Sequence, residues 1–105
     1  MSVSIQAKTR IQDKLGEKEL LAQLAEECAE LGHAALKLRR TLSPDNPTPI
    51  STEAARIGLM EEVADVLFLL DLCGVDITLA EIDLTQERKC ARWINRLEGV
   101  EKNVE

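Results

Sequence analysis

Aromatic side chains are almost missing from this sequence: 105 residues include no Tyr, one Phe (Phe68) and one Trp (Trp93). A core must therefore be built from Leu, Ile, Val, Ala and Met, and platforms for stacking nucleic-acid bases are scarce. A cationic surplus is missing too. The formal net charge is -6, from 13 Lys and Arg against 19 Asp and Glu. That excludes a general binder of nucleic acid or of an anionic membrane, because both depend on clustered Lys and Arg. The three cysteines, Cys28, Cys73 and Cys90, are odd in number and form no Cys-x-x-Cys unit. Neither a disulfide framework nor a zinc knuckle is indicated, and a reducing cytoplasm fits. Residues Met1 to Lys8 hold no apolar run of signal-peptide length, and Asp65 and Asp71 interrupt the most apolar segment. A soluble, unprocessed chain is expected.

What is present is helical periodicity. Strand signals are weak, with no Asn-Gly or Asp-Gly pair between alternating runs. From about Glu17 to Thr41, Leu20, Leu24, Glu27, Leu31, Ala34 and Leu38 recur at spacings of four and three, which predicts a helix with Glu27 at a core position. Gly16 precedes it, and Lys37, Arg39 and Arg40 near its end complement the dipole. Upstream, Val3, Ile5, Ile11 and Leu15 supply apolar contacts for a short extra helix over about Val3 to Leu15. The segment Ser43-Pro44-Asp45-Asn46-Pro47-Thr48-Pro49 stops the helix and makes a loop, since each Pro removes a donor and restricts its predecessor. Ser51 or Thr52 caps the next helix, which runs to about Cys73 with Gly74 as its stop. From Val63 to Cys73 only Asp65 and Asp71 are not apolar, so burial on most sides is expected, completed by a second copy of the chain. Asp76 is placed to cap a third helix from about Thr78 to Val100, with Leu79, Ile82, Cys90, Trp93, Leu97 and Val100 as its stripe. Cys28 and Cys90 read as small core residues, and Trp93 as packing. The expected fold class is all-α: one domain over 1–105, three main helices in a bundle completed by oligomerisation, and a frayed tail from about 101.

Two acidic clusters stand out against this pattern, Glu26-Glu27-Cys28-Ala29-Glu30 and Glu61-Glu62-Val63-Ala64-Asp65. Glu27 and Glu30 lie about 60° apart around a helix, and Glu62 and Asp65 repeat that geometry. Like charges at this spacing destabilise a helix, and an unpaired buried carboxylate costs several kcal/mol, on the order of 2–7 for a polar group and more for a charge. Antiparallel packing of the two helices brings both pairs together. Four carboxylates are hard oxygen ligands suited to Mg2+ or Mn2+, with positions left for water and a substrate phosphate. A cation there polarises phosphorus and lowers the pKa of water, so no Ser, Cys or His nucleophile is needed. Glu26 and Glu61, the first members of the pairs, are candidates to hold the water or act as base. The bland alternative, solvated helix faces, suits Glu26 and Glu61 better than Glu27, which sits in a leucine seam.

The Glu-Glu-x-x-Glu run followed by Glu-x-x-Asp, on two helices of a small helical chain, resembles the MazG-like all-alpha nucleoside triphosphate pyrophosphohydrolases. That superfamily includes dimeric dUTPases, dCTP pyrophosphatases and phosphoribosyl-ATP pyrophosphohydrolase. The likeness covers about Leu20 to Arg96. It implies that Glu27, Glu30, Glu62 and Asp65 bind Mg2+, that water attacks the α-phosphorus, and that the chain forms a homodimer or homotetramer. Two features depart from the family. The connection from Glu30 to Glu62 is long, and the last helix offers Arg88, Lys89, Arg92, Asn95 and Arg96 without the Lys-x-x-x-Asn register. These five are candidate phosphate contacts; as cations near a helix end, the charged ones also suit its dipole.

Two other function classes stay open. Glu30-Leu31-Gly32-His33 is a Glu-x-x-His unit of the kind used by di-iron bundles, but His33 is the single histidine and Asp65 stands where a second is wanted. A helical interaction module with an acidic face for a basic partner is the third reading, although it leaves Glu27 in the seam unexplained.

Overall fold

The structure is a computed structural model that describes residues 2–43, 45 and 47–99. Among these there are three helices and no strand: α1 (Ile5–Thr41), α2 (Thr52–Leu72) and α3 (Ala80–Leu97). The chain divides after Val75 into two compact units, the first carrying α1 and α2 and the second carrying α3.

Helix α1 starts where Ser4 caps it, its Oγ accepting from the Ala7 amide at 3.1 Å. The helical path is interrupted once, at Gly16, whose φ of 75° and ψ of 171° lie outside the helical region. A residue without Cβ adopts such a φ at no steric cost, so Gly16 sets the angle between the segment 5–15 and the longer segment 17–41. The turn after Gly16 obeys the seam predicted by periodicity. From Glu17 to Arg40, the residues that are not fully exposed are Leu20, Leu24, Glu27, Leu31, Ala34 and Leu38.

Helix α2 is capped by Ser51, whose Oγ accepts from the Ala54 amide at 3.1 Å, and it ends at Leu72, with Gly74 just beyond its C-cap at φ of 82°. It packs against α1 as the return arm of an antiparallel helical hairpin. At one end Leu20 (3% exposed), Leu69 (7%) and Leu72 form the buried core, with Ile11, Leu24, Phe68 and Cys73 around it. The segment before Gly16 is fastened to the same end: Lys8 Nζ pairs with Asp71 Oδ2 at 2.8 Å, and Gln12 Nε2 donates to the Leu72 carbonyl at 3.0 Å. At the other end Ala55 is buried and Thr52 Oγ1 donates to the Thr41 carbonyl at 3.5 Å, across the proline-rich loop.

Within the first unit α1 covers one side of α2, and Ile57, Met60 (68% exposed) and Leu67 (45%) stay exposed, as expected of a helix that one chain does not wrap completely. Several sequence expectations change here. Helix α3 is not capped by Asp76. It begins at Ala80 after Leu79, which makes no side-chain capping bond, while Asp76 Oδ1 accepts from the Thr78 amide at 2.9 Å and from Thr78 Oγ1 at 2.6 Å. The Asp side chain closes its own turn two residues on, which competes with capping a later helix. These two bonds from Thr78 hold the Asp76 carboxyl below its ordinary value. The stripe of α3 is amphipathic yet contains no buried residue, and Trp93 is 63% exposed rather than packed. Cys28 and Cys90 are exposed, not core. Val100 and the tail from 101 lie outside the described residues.

Candidate metal centre

The antiparallel hairpin brings the two acidic runs opposite each other. Glu27 on α1 and Glu62 and Asp65 on α2 each present a carboxylate oxygen within 4.8 Å of the others. Two oxygens bound to one cation are separated by at most twice the metal–oxygen distance, about 4.2 Å for Mg2+ and about 5 Å for Ca2+. The trio's spacing is therefore within the range for one Ca2+ and at most slightly wider than for one Mg2+. Glu26, Glu30 and Ala29 join these three in lining an open cavity of about 590 Å³.

The electrostatics make this an expensive arrangement. Glu27 and Glu62 are half-buried, and Glu62 Oε2 is a buried oxygen without a hydrogen-bond partner. Burial pushes the Glu62 carboxyl above its ordinary value of 4.5; the charges of Asp65, Glu27 and Glu30 and a side-chain hydrogen bond with Glu27 push it further the same way. Buried polar atoms are almost always satisfied, so this oxygen calls either for a proton on Glu62, shared with Glu27, or for a neutralising cation. The donor set is all oxygen, which suits a hard divalent cation. Glu27 is held in place by Gln23, whose Nε2 donates to Glu27 Oε1 at 3.2 Å one turn earlier.

The remaining candidates fall in different places. Glu30 lines the acidic cavity but stands outside the tight trio. Glu26 lines it as well, whereas Glu61 faces an adjoining cavity of about 150 Å³ with Glu30, Glu62, His33 and Lys37. His33 is not part of the carboxylate trio. Arg88, Lys89, Arg92, Asn95 and Arg96 are exposed on α3, in the second unit.

Periodicity alone did not single out an apolar cavity of about 280 Å³ that adjoins the trio. Ile11, Leu15, Leu20, Phe68 and Leu72 wall it, and Glu27 and Asp65 close its acidic side. The signal was present in pieces, since the weak run over 3–15 supplies Ile11 and Leu15, but nothing in spacing shows that Gly16 folds that run back over Phe68. Among the described residues no helix is long and apolar enough to cross a membrane. No protein-family model matches the chain, and neither a curated protein nor a solved structure does.

Proposed function

We propose that the chain is a Mg2+-dependent nucleoside triphosphate pyrophosphohydrolase, as the resemblance to the MazG-like enzymes implies. The observation that carries this reading is the orphaned Glu62 Oε2 within the Glu27, Glu62 and Asp65 trio. These three would hold the cation, with Glu30 as a fourth carboxylate on the same cavity. A bound divalent cation neutralises phosphate oxygens and polarises phosphorus, with Mn2+ as a substitute for Mg2+. Glu26, exposed on the cavity wall, positions the water and accepts its proton. The water oxygen bonds to the α-phosphorus, the α–β bridging bond breaks, and pyrophosphate leaves with the bond's electron pair. The apolar cavity bounded by Phe68 and Ile11 offers the nucleoside a surface on the other side of Glu27. Glu61 lies one cavity away and is the weaker candidate base. The uncovered side chains Ile57, Met60 and Leu67 form the contact between copies in a homodimer or homotetramer.

The test is pyrophosphate release from a panel of nucleoside triphosphates with Mg2+. Glu27→Ala and Asp65→Ala proteins that keep the wild-type circular dichroism spectrum are expected to lose more than about 100-fold in turnover, since even outer-sphere partners of a metal contribute 10–100-fold. No turnover on any substrate together with no Mg2+ binding by calorimetry overturns the reading. Iron-dependent oxygen consumption would instead support the di-iron alternative, and partner binding without either activity the interaction module.

A further inference from the structure

One face of α1 changes sign along its length. Glu26, Glu30, His33, Lys37 and Arg40 recur at spacings of four and three, so they share an arc of about 80° around the helix. The first two line the acidic cavity. The next two, with Glu30 again, line both the small cavity beside Gly58 and a cleft of about 550 Å³ that extends to Arg39 and Arg40. The acidic and basic sites thus share a wall at Glu30. In a chain of net charge -6, Lys37, Arg39, Arg40 and the single histidine gather within eight residues next to the densest carboxylates. Favourable interaction with the helix dipole falls off within the last turn. It is strongest for Arg39 and Arg40, which occupy that turn, weaker for Lys37 just before it, and does not reach His33, about two turns from the helix end. Nor do Lys37 and Arg40 have an ion-pair partner among the described residues.

We propose that His33, Lys37 and Arg40 form a binding site for the outer phosphates of a phosphoanhydride chain whose inner phosphate lies at the carboxylate trio. The identification of the anion rests on the pyrophosphohydrolase reading; the cationic cleft itself does not. The helix rise of about 1.5 Å per residue sets His33 about 4.5 Å and Lys37 about 10.5 Å beyond Glu30 along the axis. A chain of phosphates leaving the acidic cavity in that direction passes the imidazole first and then comes within reach of the flexible lysine and arginine heads. This fixes the substrate's polarity on α1: nucleoside beside Leu20 and Phe68, inner phosphate at Glu27, outer phosphates toward Arg40. The departing pyrophosphate is then held by protein cations, a role for which the sequence offered only the cations of α3.

The probe is inorganic triphosphate, titrated into the full chain by calorimetry with and without Mg2+, alongside Mg2+ titrated alone. The double variant Lys37→Ala/Arg40→Ala is expected to bind triphosphate at least about tenfold more weakly than wild type, since each removes a hydrogen bond to a charged group. Its Mg2+ affinity without anion stays unweakened. Arg10→Ala/Lys14→Ala, which removes the same charge elsewhere on α1, leaves triphosphate binding within twofold. Equal triphosphate affinity in wild type and Lys37→Ala/Arg40→Ala, an equal loss in Arg10→Ala/Lys14→Ala, or no triphosphate binding by wild type would overturn the proposal. If wild type binds triphosphate through Lys37 and Arg40 yet takes up no Mg2+, the phosphate site stands and the metal-dependent reading falls.

Discussion

The hairpin of α1 and α2 has two contrasting stretches built on the same periodicity. Around Leu20, Leu69 and Leu72 the facing seams are apolar and buried, and the segment 5–15 is drawn over them by the Lys8–Asp71 pair and the Gln12 bond to the Leu72 carbonyl. Two turns along, the same seams place Glu27 opposite Glu62 and Asp65. Burial lowers the free energy at the leucine end, at roughly 25 cal/mol per Å² of apolar surface. At the acidic stretch it raises it, because desolvation and like charge both oppose ionisation of Glu62. One seam thus carries side chains whose burial is favourable in one place and carboxylates whose ionisation burial and like charge oppose in the next.

The largest effect expected from breaking this contrast lies at the leucine end. Leu69→Ala should destabilise the fold by about 3 kcal/mol, as for other buried Leu truncations, whereas Leu67→Ala, two residues away and 45% exposed, should cost much less. Urea denaturation of the two proteins measures the difference, and equal losses would mean that the α1–α2 seam is not the core. A smaller loss is expected at the bend. Gly16 has φ of 75° and ψ of 171°, a region that L residues avoid at a cost of about 1–3 kcal/mol, although the space around an added Cβ is open. Gly16→Ala should therefore lower the urea midpoint, and unchanged stability would remove the bend's role in covering Phe68.

The smallest effect, and the one with opposite sign, belongs to the acidic stretch. The folded-state pKa of Glu62 is raised above its ordinary 4.5. The favourable contribution of its protonated form is complete below about pH 4.5 and is lost as pH rises through the raised folded value. Glu62→Gln keeps an uncharged side chain at every pH. In metal-free buffer it should melt above wild type at pH 7, with the gain shrinking as the pH is lowered through the raised folded value and gone below about 4.5. A variant that melts below wild type at pH 7 would show that Glu62 is stabilised by its neighbours instead.

The sequence made the seam legible because a period of 3.6 residues requires only that one face be apolar. Each of Leu20, Leu24, Glu27, Leu31, Ala34 and Leu38 lies on the inward side. The carboxylates were legible for the same reason, being exceptions within that face. Three things were not. The first is the division between Glu26 and Glu61, which look equivalent in spacing yet line different cavities, since their surroundings depend on the opposite helix. The second is the exposure of Trp93 and of Cys28, because periodicity reports which face is apolar and not whether anything covers it. The third is the start of α3: Asp76 has the chemistry of a cap, but Thr78 lies nearer and takes both bonds.

The account depends above all on the carboxylate trio being a cation site rather than a strained surface. Thermal melting of metal-free wild type and Glu62→Gln at pH 7, with and without added Mg2+ or Mn2+, tests this directly, since a ligand that binds only the folded state raises the melting temperature by mass action. Wild type should melt several degrees higher with the cation, reversing its deficit against Glu62→Gln, whose own shift should be small. Equal shifts in the two proteins, or none in wild type at millimolar cation, would contradict the assignment of Glu27, Glu62 and Asp65 as ligands.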